Sequence, residues 1–139
     1  MLAPHVHVLV TGGHGFIGTH LVRRLLDEGA AVRCLVRGAD RPAALADLDV
    51  EIVRGDVRDP GTLGPAVRGV EEIHHLAGLT SALTPGAMRA TNTAGTGHLI
   101  AAAARAGLGG RFVFCSSLAA VGPSVPGHPH GACPPCRPR

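Results

Sequence analysis

Thr11-Gly-Gly-His-Gly-Phe-Ile-Gly18 decides the reading of this 139-residue chain. Its glycines stand at 12, 15 and 18, between a short apolar run, His5–Val10, and a segment of helical spacing, Phe16–Glu28. Each glycine has a separate task at such a strand-to-helix turn. Gly12 permits the sharp exit from the strand, Gly15 admits a phosphate where a Cβ would stand, and Gly18 lets the helix lie close to the sheet. The helix that starts near Phe16 and Ile17 turns unpaired N–H groups and its positive dipole end toward the same point, which suits an anion. The glycine spacing alone fits a mere tight turn. Its place after a strand and at the opening of a helix is what gives it weight.

The rest of the chain alternates in the same manner. Gly29 stops the first helix, Ala31–Val36 reads as a second strand, and Arg41–Leu48 as a short helix with Asp40 as its cap and Pro42 in its first turn. Val50–Val53 is the third expected strand, and Asp59-Pro60 opens a helix through Val67. Ile73–Ala77 is the fourth strand. Pro85–Ala106 carries a long Ala-rich helical pattern interrupted at Asn92, Gly95 and Gly97, and Arg111–Cys115 is the fifth strand. Apolar strands alternating with helices predict an α/β, Rossmann-like, doubly wound parallel sheet of about five strands, covered on both faces. From Gly122 onward Pro, Gly, His and Cys replace any apolar period. A folded unit over 1–122 and a disordered tail over 123–139 are therefore expected.

Composition narrows the function classes. Hydrophobic residues make up 45% and charged residues 17%, which suits a buried sheet. With three Phe and no Trp or Tyr, small aliphatic side chains must fill the core. All 13 basic residues are arginines, and they are scattered, so the formal charge of +3 gives no basic stripe for nucleic acid. The first residues lack the layout of a signal peptide and no apolar run is long enough to span a bilayer, so no membrane is expected and the cytoplasm is the expected location. There, four cysteines read as free thiols or ligands rather than a disulfide framework.

These motifs, in this order, resemble those of the extended short-chain dehydrogenase/reductase family, also called the NAD-dependent epimerase/dehydratase family, from about Val8 to Gly122. The resemblance implies a dinucleotide cofactor, NAD or NADP, held at Gly12, Gly15, Phe16, Ile17 and Gly18. Gly55-Asp-Val-Arg-Asp59 is similar to the family segment whose aspartate meets the adenine amino group, which assigns Asp56 and Val57. His75-Leu-Ala-Gly78 is similar to the fourth-strand motif that lines the adenosine, which assigns Leu76, Ala77 and Gly78. Asn92 resembles the helix asparagine that supports the active site and joins the cofactor-binding set. Phe114-Cys-Ser-Ser117, followed by Ala120-Val-Gly122, resembles the strand end that carries the catalytic serine, and the spacing to Gly122 favours Ser117. At the end of the second strand Val36 stands where an acid would accept from the ribose 2′-OH, and Arg37 follows; this pattern leans slightly toward NADP.

Two parts of the family pattern have no occupant. The resemblance calls for a tyrosine that transfers a proton and a lysine four residues later that lowers its pKa; this sequence has no Tyr and no Lys. The substrate lobe is also missing. The expectation is a truncated cofactor-binding part of an epimerase, dehydratase or reductase acting on sugar nucleotides or similar hydroxyl or carbonyl compounds, inactive alone. The alternative is a non-catalytic dinucleotide-binding or regulatory module. A last strand left at the sheet edge predicts self-association.

Smaller signals are weighed the same way. His128, His130, Cys133 and Cys136 could offer zinc four ligands, but they crowd into one proline-rich stretch and read as chance residues of a tail, so no metal is expected. Of His74 and His75, one is expected to pack or hydrogen-bond near the cofactor, with no carboxylate placed for a dyad. His14 reads as solvent-facing, Cys34 as a buried strand residue, Cys115 as a packing residue near the nicotinamide end, and Glu71-Glu72 as a solvated lead-in to the fourth strand. A P-loop is disfavoured because the turn lacks its Lys and Ser/Thr.

Overall fold

The computed structural model describes residues 6–81 and 83–117. Its strands are β1 (His7–Thr11), β2 (Ala31–Val36), β3 (Glu51–Arg54), β4 (Glu72–His75) and β5 (Arg111–Phe114). They form one sheet in the order β3-β2-β1-β4-β5, with every neighbouring pair parallel. This is the expected α/β, Rossmann-like, doubly wound sheet. The chain enters at the centre, builds outward to β3, then returns to the other side of β1. The order therefore reverses between β1 and β4, where open α/β sheets leave a crevice.

Both faces are built by the period of two. Val8 and Val10 of β1 and Val32, Cys34 and Val36 of β2 point to one side, where they bury Val22 and Leu25 of α1 (Phe16–Asp27) together with Leu45 and Val50. Leu9, Leu35 and Ile73 point to the other, against Leu63, Ala66 and Val67 at α2 (Gly64–Val67) and Leu99, Ala102 and Ala103 of α4 (Thr96–Arg105). Alanines at three of these contacts let the helices approach the sheet without aromatic filler. α1 ends as its sequence predicts. Gly29 takes φ +84°, and the Gly29 and Ala30 amides donate to the Leu26 and Leu25 carbonyls, a Schellman closure.

Three helices differ from expectation. Over 41–48 only a 3-10 turn forms, at Ala43–Leu45, because Pro42 keeps an extended ψ of 135° and Arg41 spends its guanidinium on the Leu45 and Leu48 carbonyls. Asp59 does cap, accepting from the Gly61 amide, but the segment is a 3-10 turn at Pro60–Thr62 followed by the single turn of α2. Arg33 of β2 meets the orphan carbonyls of α2, donating to Ala66 and Arg68 at 3.0 and 2.7 Å. The long helix is three pieces: α3 (Pro85–Met88), a π-helical segment (Arg89–Gly95) and α4. The π segment contains Asn92 and Gly95, two of the interruptions in the pattern.

Among the described residues β5 pairs only with β4, and Val113 and Phe114 are exposed. No helix among them is long and apolar enough to cross a membrane. The expected boundary at 122, the tail 123–139 with its His and Cys residues, and Ala120-Val-Gly122 lie outside the described residues.

Candidate functional site

A cleft opens over the carboxyl ends of β1, β2 and β4, at the point where the strand order reverses. Thr11, Gly12, His14 and Gly15 form its floor, Leu35 and Arg37 one side, Gly55, Asp56 and Val57 another, and Leu76–Leu79 with Thr91 the far wall. Gly12, Gly15, Arg37, Asp56, Val57, Leu76, Ala77 and Gly78, expected from sequence as cofactor contacts, thus converge here. Phe16, Ile17, Gly18 and Asn92 do not line it. Phe16 and Ile17 are exposed on the first turn of α1, Gly18 is buried beneath the glycine turn, and Asn92 stands behind the far wall.

The glycines divide as the turn requires. Gly12 has φ +71°, a left-handed conformation. A Cβ on Gly18 would overlap the Gly12 carbonyl oxygen and approach the Gly13 Cα, so Gly18 serves close packing. Gly15 is different. Its φ of −77° and ψ of 174° suit any residue, and a Cβ there would meet only the Gly12 oxygen, at 3.3 Å. The backbone conformation at 15 does not demand glycine, and an added Cβ would ask only the Gly12 oxygen to give by a few tenths of an ångström. It is also the N-cap of α1, and no side chain caps that helix. The first-turn amides are therefore left to an external acceptor beside a position cleared of side chain, a cradle that fits a diphosphate.

Charge at the other end of the cleft is fixed by an ion pair. The Asp56 carboxylate takes hydrogen bonds from Arg58 Nη2 at 2.6 Å and Nε at 3.0 Å, and from the Arg58 amide. The Arg58 side-chain hydrogen bonds hold its pKa below the usual value, with Arg37 adding a smaller effect of the same sign. Asp56 therefore remains an ionised acceptor at neutral pH. Arg37 is exposed at the cleft, while Val36 is buried and turned into the core.

Hydrogen bonds tie the far wall to the turn. Thr11 Oγ1 accepts from the Ala77 amide at 3.1 Å and lies 2.6 Å from His75 Nδ1. His75 Nε2 lies 2.9 Å from Thr96 Oγ1, and Asn92 grips both the N–H and the C=O of Leu79, at 2.8 and 2.9 Å. His75 is the histidine expected to hydrogen-bond near the site. It is 1% exposed, and burial pushes its pKa down to about 4.

Other residues depart from expectation. Glu72 is buried rather than solvated: it opens β4, faces Arg111 across the strand pair, and its Oε1 lies 3.1 Å from His74 Nε2 and 3.5 Å from Arg111 Nε. His74 thus has a carboxylate neighbour after all. The pair lacks hydrogen-bond geometry, and His74 Nε2 is buried with no hydrogen-bond partner among the described residues. Cys115 is exposed rather than packed, whereas Cys34 is buried as expected, its thiol pKa pushed up to about 11 by burial. His14 is exposed, as its place in the turn suggests, and also lines the cleft. Ser117 is exposed just past β5, at the same end of the sheet as the cleft but not among its lining residues. Thr11, Leu35, Gly55, Leu79 and Thr91 line the cleft without having been assigned as cofactor contacts. Thr11 had a signal, because it directly precedes the glycines; Thr91 and Leu79 had none.

Known proteins carry the same arrangement. The chain is 42% identical over 118 residues to a ceramide reductase of Caulobacter vibrioides, covering 85% of this chain and 37% of that protein. It is 40% identical over 116 residues to sterol demethylase protein B of Methylococcus capsulatus, covering 82% and 35%. A short-chain dehydrogenase/reductase superfamily protein from Agrobacterium tumefaciens, crystallised with bound NAD, superposes with a TM-score of 0.69 at 33% identity, over 94% of this chain and 40% of that one. The chain thus spans little more than a third of the length of these relatives. The model of the NAD dependent epimerase/dehydratase family matches residues 8–139, taking in the glycine turn and every strand from β1's core to β5. With that match the cradle at Gly15 and the cleft at the reversal of the sheet have a common explanation: this chain belongs to the NAD-dependent epimerase/dehydratase family, whose members bind a nicotinamide dinucleotide.

Proposed function

We propose that the cleft binds NAD(P) and that the chain serves as the cofactor-binding part of a reductase, dehydrogenase or epimerase acting on hydroxyl or carbonyl compounds, sugar nucleotides among them. The observation that carries this reading is Gly15, whose backbone conformation does not require glycine, beside the uncapped amides of α1. In this reading the Phe16, Ile17 and Gly18 amides hold the diphosphate, Asp56 accepts from the adenine amino group, and Leu76, Ala77 and Gly78 supply the backbone wall of the adenosine pocket. The cofactor supplies or accepts hydride at a hydroxyl-bearing or carbonyl carbon. The name of the Caulobacter reductase supports that substrate chemistry.

NADP is the preferred form in this proposal. Val36 is buried and cannot meet a 2′-OH, whereas Arg37 sits at the cleft with its guanidinium exposed. In this reading Ser117, just past β5, supports the substrate. With no Tyr or Lys in the sequence, no side chain of this chain fills the proton-transfer role or the ribose-holding role that the family resemblance assigns. For these 139 residues taken alone, a non-catalytic dinucleotide-binding module is the second reading. Among the described residues Cys34 and Cys115 are free thiols, which suits a reducing cytoplasm.

Calorimetric titration of the whole chain with NADPH and NADH tests the assignment. Saturable binding, competed by ADP-ribose, is expected, and Arg37→Ala is expected to weaken NADPH roughly ten-fold while leaving NADH nearly unchanged. Absence of saturable binding by either nucleotide refutes the site; equal loss for both refutes the NADP preference. Turnover of a sugar nucleotide or ketone by this chain would overturn the binding-only reading.

A further inference from the structure

His75 lines none of the cleft, yet both of its ring nitrogens are engaged, and the hydroxyl protons around it fix a direction. The Thr96 hydroxyl donates to the Asn92 carbonyl at 2.8 Å. Its only proton is thereby committed, so at 2.9 Å from His75 Nε2 it must accept, and the ring proton resides on Nε2. In the neutral ring Nδ1 is then an acceptor, and the Thr11 hydroxyl, 2.6 Å away, donates to it. The same Thr11 oxygen has a lone pair left for the Ala77 N–H. One tautomer satisfies every group in the chain, from Ala77 through Thr11, His75 and Thr96 to Asn92. Phe112 and Phe114 lie beside the ring at centroid distances of 6.1 and 5.7 Å, on the side of β5.

This chain touches the cleft wall at two places. β4 ends at His75, and the last backbone bond to β1 runs from the Leu76 amide to the Thr11 carbonyl. The peptides beyond it are outside the strand ladder. They are held by Thr11 at Ala77 and by the Asn92 side chain at Leu79. We propose that His75, as its Nε2–H tautomer, is a positioning residue that locks the wall 77–79 to both the glycine turn and the π-helical segment, and so sets the affinity of the cleft for the dinucleotide. This rests on the cofactor reading above.

Thr96→Val tests it, because Thr96 does not line the cleft and valine keeps its shape while removing the hydroxyl. In the whole chain the variant is expected to bind NADPH roughly ten-fold more weakly. Thr96→Ser, which returns the hydroxyl, is expected to recover binding. Nitrogen-15 spectra of the histidine rings give a second readout independent of ligand: His75 is expected as the Nε2–H form in the unaltered protein and as a mixture in Thr96→Val. If the unaltered protein binds neither nucleotide, the cofactor reading and this inference fall together. If it binds, and folded Thr96→Val binds equally well, the inference alone is overturned. Should Thr96→Val fail to fold, the ring spectrum of the unaltered protein decides, since an Nδ1–H form contradicts the assigned direction.

Discussion

Replacing Gly15 with Asp is expected to leave the fold as stable as before, or more so, while abolishing nucleotide binding. The backbone at 15, φ −77° and ψ 174°, is open to any L-residue, and the new Cβ meets only the Gly12 oxygen at 3.3 Å, a contact relieved by a shift of a few tenths of an ångström. Asp at this N-cap offers a carboxylate to the Ile17 or Gly18 amide, where no side chain now acts, and complements the helix dipole. The gain is a few tenths to about 1 kcal/mol, less the small steric cost. For a domain of this size that is a change in Tm of at most about 4 °C upward. Binding moves the other way. Two unit charges about 4 Å apart repel by about 4 kcal/mol at the effective dielectric of a protein surface. At about 1.4 kcal/mol per decade, affinity for a diphosphate falls by about three orders of magnitude.

Thermal and urea unfolding of the ligand-free variant, alongside a fluorescence titration with NADPH, reads both quantities in one preparation. A variant that binds like the unaltered protein refutes the cradle. A variant destabilised by more than about 2 kcal/mol shows that the fold itself needs a glycine at 15, beyond what an ordinary cap change costs, and removes the observation on which the function rests.

Gly18→Ala is the structural counterpart: its Cβ overlaps backbone rather than a movable side chain, so a loss of about 1–3 kcal/mol is expected in urea unfolding, and unchanged stability would contradict the packing described. Acid is expected to destabilise the protein through His75. Its folded pKa of about 4 lies below the unfolded 6.5, so the neutral ring contributes fully above pH 6.5 and the contribution is lost as pH falls toward 4, a change of roughly 3 kcal/mol to be read in urea midpoints from pH 7.5 downward. A flat profile over that window refutes it. The edge of β5, unpaired among the described residues and with Phe114 half exposed, is expected to drive self-association that rises with concentration and falls in Phe114→Lys; sedimentation showing a monomer at every concentration refutes it.

The sheet was legible because its strands are short apolar runs stopped by turn residues, and the glycine turn because each glycine answers a local steric demand. Helical detail was less so. Over 41–48 the apolar pattern suits a helix, but the outcome depended on which carbonyls the Arg41 side chain could reach, and no propensity encodes that. In the segment 85–106 the interruptions at Asn92 and Gly95 marked the right place without revealing a π turn. That turn is stabilised by a partner 13 residues upstream, Leu79, whose backbone takes both ends of the Asn92 amide. Glu72 was misjudged because two adjacent glutamates look solvated together, whereas the start of β4 places one of them against the sheet.

The histidine pair shows how far such a reading can be pushed. In Glu72-Ile-His-His75 the period of two puts His75 on the face of Ile73 and His74 on that of Glu72. Ile73 belongs to the core, and His75 beside it is 1% exposed, whereas His74 on the other face is half-buried. A buried imidazole without a counter-charge is tolerated only when neutral and hydrogen-bonded at both nitrogens, because each unmet polar atom costs about 1–3 kcal/mol. In the structure His75 has two uncharged partners, the hydroxyls of Thr11 and Thr96. β1 offers one hydroxyl, Thr11, at its end, and the helix that covers this face offers Thr96. What the sequence lacked was register: only the alignment of Thr11 with His75 across β1 and β4 brings the first pair together, and a slip of one residue would have delivered His74 instead.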